Sequence, residues 1–175
     1  MHSSLDMAKQ TTTLLNALDL LSDQHNHLDG LFEQVEADEG GRMAAFFELA
    51  DTFAAHATIE EKLFYPRVMS DETSEILHKS VEEHLAIRRV LADMLTMDLQ
   101  DCDFAAKLAV LKEEVSHHAH EVEEQELFPM LRETMDEDEL AALGNELLVM
   151  FEDLIKSSPR KQVPAETREA APLHA

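Results

Sequence analysis

The sequence lacks several features that are typical of secreted, membrane or strand-rich proteins. It has no tryptophan, one tyrosine, one cysteine and four glycines in 175 residues. Because the single cysteine, Cys102, cannot form an internal disulfide, we expect a reducing compartment, the cytoplasm. No unbroken apolar run is long enough for a membrane span, and the first residues carry no basic leader. We therefore expect neither a membrane partner nor a signal peptide.

Basic residues are also scarce, with 14 lysines and arginines against 37 acidic residues and a formal net charge of -23. We expect no nucleic-acid partner, because phosphate binding requires a basic surface. Most of the acidic residues are interpreted as solvated faces of helices. The abundant residues are leucine, alanine, methionine and glutamate, a composition that favours helices over strands.

Short polar breaks divide the chain into five helical segments, predicted at 9–38, 43–69, 74–98, 103–134 and 138–156. Asp136 and Glu139 have the spacing of a capping box at the start of the fifth helix. Because short connections make consecutive helices antiparallel, the pattern predicts an all-α, up-down-up-down four-helix bundle with a shorter fifth C-terminal helix. This domain is predicted to cover residues 9–156. Residues 157–175 are rich in proline and alanine and have no periodicity, which predicts a disordered tail.

A histidine interrupts the apolar stripe of each of the first three helices. His25, His56 and His84 stand where the spacing of apolar residues calls for a core side chain, and Glu60 follows His56 by one turn. A lone histidine on an apolar face is usually a hydrogen-bonded core residue. Three of them at mid-helix are harder to explain in this way, because an unpartnered buried polar group costs on the order of 1–3 kcal/mol. A shared cation at one level of the bundle is the simplest explanation.

The fourth helix repeats the pattern of the second with one insertion. Its apolar spacing places His118 inward, and His56-x3-Glu60 in the second helix corresponds to His118-x4-Glu123 in the fourth. Five residues of a regular α-helix turn through about 500°, which would separate the two side chains. We therefore predict a π-bulge around residues 119–122, where an i→i+5 turn would bring histidine and glutamate onto one face.

The same stretch contains an alternative pair, His120 and Glu124, which share a face of a regular helix at i, i+4. Against this alternative, the face of His120 extends back through His117 and Glu113, which are polar. The pair His118 and Glu123 is preferred, and the other pair remains open.

The first and third helices also match each other, at a spacing of 59 residues that aligns His25 with His84. The chain is thus an internal duplication of a helix pair, and its special residues should be related by a pseudo-twofold axis. Two equivalent half-sites predict two metal ions. Pro66 and Pro129 each follow one of the two glutamates by six residues and are interpreted as bends near the site.

The donors define the class of metal. The predicted ligands are His25, His56, Glu60, His84, His118 and Glu123. Imidazoles and carboxylates without a thiolate suit iron, zinc or manganese, and two carboxylates between two half-sites can bridge a pair of ions. Six protein ligands leave positions for O2, peroxide, NO or hydroxide.

Two segments, HATIEEKLFYP and HHAHEVEEQELFP, together with His25 and His84, resemble the signature of the hemerythrin-like HHE cation-binding domains. The resemblance covers about residues 14–134. It implies a non-haem di-iron centre, with two iron ions (Fe2+/Fe3+) joined by two carboxylates and by an oxo or hydroxo bridge.

One position departs from the family pattern. Oxygen-carrying hemerythrins have a fifth histidine four residues before the ligand of the third helix, and that position is Ser80 here. The gap, to be filled by water, His117 or His120, leaves one iron more open. The resemblance therefore implies binding of O2 or a related ligand, in oxygen sensing or an iron-dependent stress response. The alternatives are a di-iron oxidoreductase acting on peroxide or NO, an iron storage or homeostasis protein, and a metal-free interaction bundle.

Overall fold

The structure, a computed structural model, describes residues 15–37 and 40–173, and the regular elements within these ranges are all helical. The α-helices are α1 (Ala17–Ala37), α2 (Arg42–Ile59), α3 (Tyr65–Val68), α4 (Ser74–Met94), α5 (Cys102–Ser116), α6 (Phe128–Thr134) and α7 (Glu137–Lys156). The first π segment (Glu60–Phe64) joins α2 to α3, the second π segment (His117–Leu127) joins α5 to α6, and two 3-10 turns follow at Pro159–Lys161 and Val163–Ala165. The predicted all-α fold class is confirmed. None of the described helices is long and apolar enough to cross a membrane.

The predicted helix limits differ from the structure mainly at two ends. The start predicted at residue 9 lies outside the described residues, and α1 as described begins at Ala17. There the side chain of Asn16 accepts a hydrogen bond from the backbone N–H of Asp19 at 2.9 Å, which caps the helix. The third predicted helix was expected to reach residue 98, but α4 ends at Met94 because the chain enters a series of turns directly after it.

Each π segment ends two residues before a proline. Pro66 and Pro129 lie in the first turns of α3 and α6. A proline inside a helix has no N–H for the carbonyl four residues earlier, and its ring collides with that carbonyl. A wider turn before the proline removes this conflict, and the N–H of Tyr65 accordingly bonds to the carbonyl of Glu60. The bulge predicted at 119–122 lies within the second π segment and is confirmed, whereas the first π segment was not predicted.

Two apolar clusters fill the interior, one on each side of a polar layer. The first contains Phe32, Phe46, Phe53, Leu91 and Leu111, and the second contains Leu18, Phe64, Leu77, Leu127 and Leu143. On α1, Leu21 belongs to the second cluster and Leu28 to the first, with His25 between them. The interrupted stripes therefore mark one level at which polar side chains lie between two apolar regions.

The last α-helix, α7, packs against α1 and α2. Asp136 and Glu139 form the predicted capping box at its start. A Cβ added at Gly144 would lie 2.5 Å from the carbonyl oxygen of Leu15, so the glycine allows α7 to approach the backbone at the start of α1. The buried stripe of α7 contains Leu140, Leu143 and Leu147.

The C-terminal segment, residues 157–173, lies against the bundle, which corrects the prediction of disorder for the described part of the tail. The side chain of Val163 is fully buried in the first apolar cluster. Arg160 forms an ion pair with Asp51 of α2. The absence of periodicity was misleading, because one apolar anchor and a few polar contacts can dock a short segment that is not itself a long helix.

Candidate metal centre

The structure brings all six predicted side chains together in the polar layer. They are His25, His56, Glu60, His84, His118 and Glu123, and each is at most 2% exposed. α1, α2, α4 and the second π segment each contribute one histidine, and the two π segments contribute the carboxylates. The side chains thus converge at a single depth, as the positions of the histidines in their stripes predicted.

One group of four donors, the first half-site, contains His25, His56, Glu60 and Glu123, with ligand atoms within 4.8 Å of one another. Nε2 of His25 lies 3.2 Å from Oε2 of Glu123, and Nε2 of His56 lies 3.2 Å from Oε1 of Glu60. Two imidazoles and two carboxylates at these separations are able to hold a metal ion.

The second half-site contains Glu60, His84 and His118. The Nε2 atoms of His84 and His118 are 2.9 Å apart, and Oε2 of Glu60 lies 3.2 Å from the first and 4.0 Å from the second. Glu60 therefore presents one oxygen to each half-site. Oε2 of Glu123 lies 3.9 Å from Nε2 of His118, so the second carboxylate is also near both groups.

Three buried polar atoms in the centre have no hydrogen-bond partner among the described residues. They are Nε2 of His25, Oε1 of Glu60 and Oε2 of Glu123. Leaving such an atom unsatisfied costs about 1–3 kcal/mol, and more where it carries charge. A cation would accept the lone pairs of all three atoms at once. The donor set therefore fits the metal class that the sequence predicted, iron, zinc or manganese.

Each central imidazole forms a hydrogen bond through Nδ1, the ring nitrogen that points away from the centre. The partners are Glu124 for His25 at 2.7 Å, Gln24 for His56 at 2.7 Å, Glu61 for His84 at 2.9 Å and Glu83 for His118 at 2.8 Å. An acceptor at Nδ1 favours the tautomer whose Nε2 lone pair faces the centre, the usual arrangement behind metal-bound histidine. None of these roles was predicted from the sequence.

The four Nδ1 partners follow the internal duplication. Gln24 and Glu83 are 59 positions apart, like the histidines of the first and third helices, and Glu61 and Glu124 are 63 apart, like the two central glutamates. Extending the repeat to the polar neighbours of each stripe would have found them. The duplication is imperfect at one pair, because Gln24 is a neutral amide where Glu83 is a carboxylate.

The second π segment decides which histidine and which glutamate of the fourth predicted helix face the centre. Its wider turn places His118 and Glu123 on one buried face. The alternative pair lies at the edge of the centre, where Nδ1 of His120 is 3.0 Å from Glu124 and Nε2 is 2.8 Å from Asp29. His120 is therefore not among the converging donors, and Glu124 supports a central histidine instead.

Tyr65, the single tyrosine of the chain, was missed by the sequence analysis and places its hydroxyl in the centre. The hydroxyl donates to Oε1 of Glu123 at 2.9 Å and lies 3.3 Å from Oε2 of Glu60. It is also 3.5 Å from Nε2 of His84 and 3.4 Å from Nε2 of His118. The phenol thus adjoins the second half-site.

The duplication aligns Tyr65 with Phe128, and the two rings occupy equivalent places. Tyr65 stacks on His84 with 5.8 Å between ring centroids, and Phe128 stacks on His25 with 6.2 Å. Because the duplication places a tyrosine in one repeat where the other has phenylalanine, aligning the two repeats could have identified Tyr65 from the sequence. Burial, followed by the charges of the two central glutamates, raises the pKa of Tyr65 well above its ordinary range, so the phenol is neutral and donates.

The gap expected at Ser80 is not filled by a neighbouring histidine. His117 is half-buried, with its Nδ1 2.9 Å from Glu121, and His120 is hydrogen-bonded at the edge of the centre. Ser80 is fully buried, its hydroxyl donates to the backbone carbonyl of Ile76 at 2.9 Å, and it is near enough to Tyr65 to act on the pKa of the phenol, in the lowering direction. The tyrosine therefore lies beside the position where the family pattern has a fifth histidine.

Burial and the carboxylates together set the protonation of the centre. Burial alone would lower the pKa of His25, but the neighbouring carboxylates of Glu123 and Glu124 outweigh it and raise the pKa to about 9. The pKa of His118 is raised to about 10, because the charge of Glu123 and neighbouring hydrogen bonds outweigh burial. Burial prevails at His56, whose pKa is lowered. At neutral pH an incoming cation must displace the protons on His25 and His118.

Comparison with known proteins agrees with this geometry. Residues 16–131 match the family model of the hemerythrin HHE cation binding domain. The chain belongs to this family. The resemblance seen in the sequence is thereby confirmed, and the buried cluster of histidines and glutamates in this hemerythrin HHE domain is able to hold a metal cation.

One solved structure shares the fold of this hemerythrin HHE domain. It is a hemerythrin HHE cation binding domain-containing protein from Mycobacterium kansasii, an Rv2633c homologue, with 23% sequence identity and a TM-score of 0.73. The alignment covers 84% of this chain and 91% of that one. No curated protein sequence matches the chain significantly.

Proposed function

We propose that the protein is a non-haem di-iron protein that binds O2 or a related small ligand such as peroxide or NO. The observation that carries the proposal is the set of orphaned central atoms, Nε2 of His25, Oε1 of Glu60 and Oε2 of Glu123, buried between two imidazole pairs. A pair of cations would satisfy all three atoms together. Without a cation the nearest groups are neighbouring donors of the same cluster, with Nε2 of His25 3.2 Å from Oε2 of Glu123 and Nε2 of His56 3.2 Å from Oε1 of Glu60.

Each half-site would hold one ion. His25 and His56 are the nitrogen donors of the first, and His84 and His118 are those of the second. Glu60 faces both half-sites and Glu123 lies near both, so each carboxylate is placed to bridge. Bound iron would supply redox change and a binding position for a small ligand.

The chain's own residues would exclude water and orient the donors. The apolar clusters on either side of the layer keep the centre dry, and the Nδ1 partners aim each imidazole. We propose that these elements form an up-down-up-down bundle with α7 outside it, which is supported by short connections and by the packing of α1 with α2 and of α4 with α5. A cytoplasmic location is supported by the single cysteine, which is exposed and free.

A second candidate function is peroxide decomposition, in which two H2O2 molecules give two waters and O2 without an external reductant. The observation that favours it is the neutral phenol of Tyr65, a buried hydrogen-bond donor within 3.5 Å of the imidazoles of the second half-site. A fixed hydrogen-bond donor at this place would stabilise the negative charge that develops on oxygen when the O–O bond of peroxide breaks.

Metal stoichiometry tests the first proposal, and adjacent histidines provide a matched control. Elemental analysis after loading with iron should give two ions per chain for the wild type and for His117→Ala, which alters a half-buried side chain outside the donor set. His118→Ala should retain about one ion, because it removes a central donor of the second half-site. About one ion or fewer in the wild type, or full content in His118→Ala, would contradict the proposal.

Ligand assays then separate the functions. Azide or NO should change the near-ultraviolet and visible spectrum of the iron-loaded protein, and peroxide should release O2 at a rate that falls in Tyr65→Phe. A loaded protein that leaves peroxide intact would remove the second function and keep the first. Uptake of iron well beyond two ions per chain would instead indicate storage.

A further inference from the structure

Arg88 of α4 is a charged side chain buried beside the second half-site. Only 4% of the residue is exposed, although an isolated buried charge is strongly unfavourable. Its guanidinium donates two hydrogen bonds to Glu61, one to each carboxylate oxygen, at 2.6 and 2.9 Å. This paired geometry fixes the plane of the carboxylate as well as its position.

Glu61 connects Arg88 to the centre. Its Oε1 also accepts from Nδ1 of His84 at 2.9 Å, so one carboxylate is held between a guanidinium and a central imidazole. The imidazole in turn presents Nε2 to the second half-site, 3.2 Å from Glu60. A rotation of Glu61 would therefore change where the His84 ring points.

The C-terminal segment covers the outer side of Arg88. Glu166 places Oε2 3.4 Å from Nε of Arg88, and the adjacent Arg89 donates to the backbone carbonyls of Thr167 and Arg168 at 3.0 and 3.2 Å. A cleft of about 330 Å³ between this segment and the bundle has both Glu61 and Arg88 in its lining. Because the segment lies over it, Arg88 is shielded from water that would compete for Glu61.

The other repeat anchors the equivalent carboxylate differently. Glu124, the counterpart of Glu61, takes its second hydrogen bond from His120 of the same π segment. The residue aligned with Arg88 is Asp29, which bonds to His120 from α1. The arginine and the covering segment are thus specific to the second half-site.

We propose that Arg88, held beneath the C-terminal segment, is a positioning residue that orients His84 through Glu61 and so controls metal retention at the second half-site. The inference rests on the proposed function in its metal-binding part. It gives the C-terminal segment, residues 157–173, a role in the geometry of the buried centre, although this segment follows the last α-helix.

The experiment uses the full-length protein with two readouts, one of which needs no metal. Solvent exchange of the ring Nδ1–H of His84 is measured by NMR in the metal-free protein. Release of Zn2+ from the loaded protein to a chromogenic chelator is followed in time. The variants are Arg88→Met, Arg88→Lys and, as matched control, Arg67→Met, which removes an exposed arginine paired with Glu146.

In Arg88→Met we expect the ring proton of His84 to exchange at least about tenfold faster. One of the two zinc ions should leave about tenfold faster while the other leaves at the wild-type rate, since loss of an outer partner typically costs 10–100-fold in metal affinity. Arg88→Lys keeps the charge without the paired geometry. Its exchange and release rates should lie between those of the wild type and of Arg88→Met, which a purely structural role would not produce. Wild-type exchange and release in Arg88→Met would overturn the proposal.

Two further variants, Val163→Ala and Glu166→Gln, test whether the C-terminal segment contributes to metal retention. Each should speed release of the same zinc ion by a smaller factor, and wild-type rates in both would overturn the role of the segment. If the wild-type protein binds neither zinc nor iron, the proposed function fails, while ring-proton exchange in Arg88→Met still decides whether Arg88 positions His84.

Discussion

The replacement of Tyr65 by phenylalanine tests the architecture of the centre with the smallest possible change. Phenylalanine is the residue that the duplication itself places at the equivalent position, Phe128, so the ring can be accommodated. Stacking on His84, with 5.8 Å between centroids, should persist. What disappears is the hydroxyl, and with it the hydrogen bond to Oε1 of Glu123 at 2.9 Å.

The expected cost follows from burial and charge. Glu123 and Tyr65 are both fully buried, and Oε2 of Glu123 already lacks a hydrogen-bond partner among the described residues. A hydrogen bond to a charged group contributes about 1.5–3 kcal/mol, so the metal-free variant should be destabilised by roughly that amount. For a protein of this size each kcal/mol shifts the melting temperature by about 2–4 °C, which predicts a decrease of about 3–12 °C.

Thermal unfolding of the chelated protein, followed by circular dichroism at pH 7, is the appropriate assay. Thr58→Val is the matched control, because the Thr58 hydroxyl donates only to a carbonyl of its own helix, Ala54, at 2.7 Å, and its loss should cost little. A Tyr65→Phe melting temperature within about 1 °C of the wild type would refute the reasoning, since the phenol would then not be supporting the buried carboxylate.

Three further predictions concern pH, helix packing and the C-terminal segment. His25 and His118, with pKa values raised to about 9 and about 10, stabilise the metal-free fold below their unfolded pKa of about 6.5, and this stability is lost as pH rises through 9 and 10. Zn2+ binding at pH 7 in weak buffer should therefore release about two protons per chain, and release of none would contradict the raised values. Gly144→Ala should lower the free energy of unfolding, measured by chemical denaturation, by about 1–3 kcal/mol, because its Cβ would meet backbone atoms, and a stabilised variant would show that α7 can move away. Val163→Asp should free the C-terminal segment and raise its protease sensitivity, whereas unchanged digestion of residues 157–173 would mean that this buried side chain is not the anchor.

The histidine positions could be predicted because each is fixed by local periodicity. A helix that buries one stripe leaves its spacing in the sequence, so His25 and His84 were identifiable from their own helices alone. The inserted residue before Glu123 was sufficient to predict the π-bulge, since no regular helix brings it onto the face of His118. The first π segment was missed because His56 and Glu60 require no distortion, and only the following proline signalled it.

The outer partners were harder to predict because they join helices that are distant in the chain. Gln24 supports His56 across 32 positions, and Glu61 supports His84 across 23. No periodicity within one helix shows which polar residue of a neighbouring helix will lie behind an imidazole. The C-terminal segment was misjudged for a related reason, because Val163 is held by a groove that the other helices create.

The sequence by itself determined the helical class, the duplication and the six side chains that share a buried level, because these depend on spacing along single helices. The tertiary structure alone decided that Glu60 lies between the two half-sites, that Tyr65 adds a hydroxyl to one of them, and that Arg88 is buried beneath the C-terminal segment. These features depend on the approach of segments far apart in the chain, and the distances that define them exist only once the helices have packed.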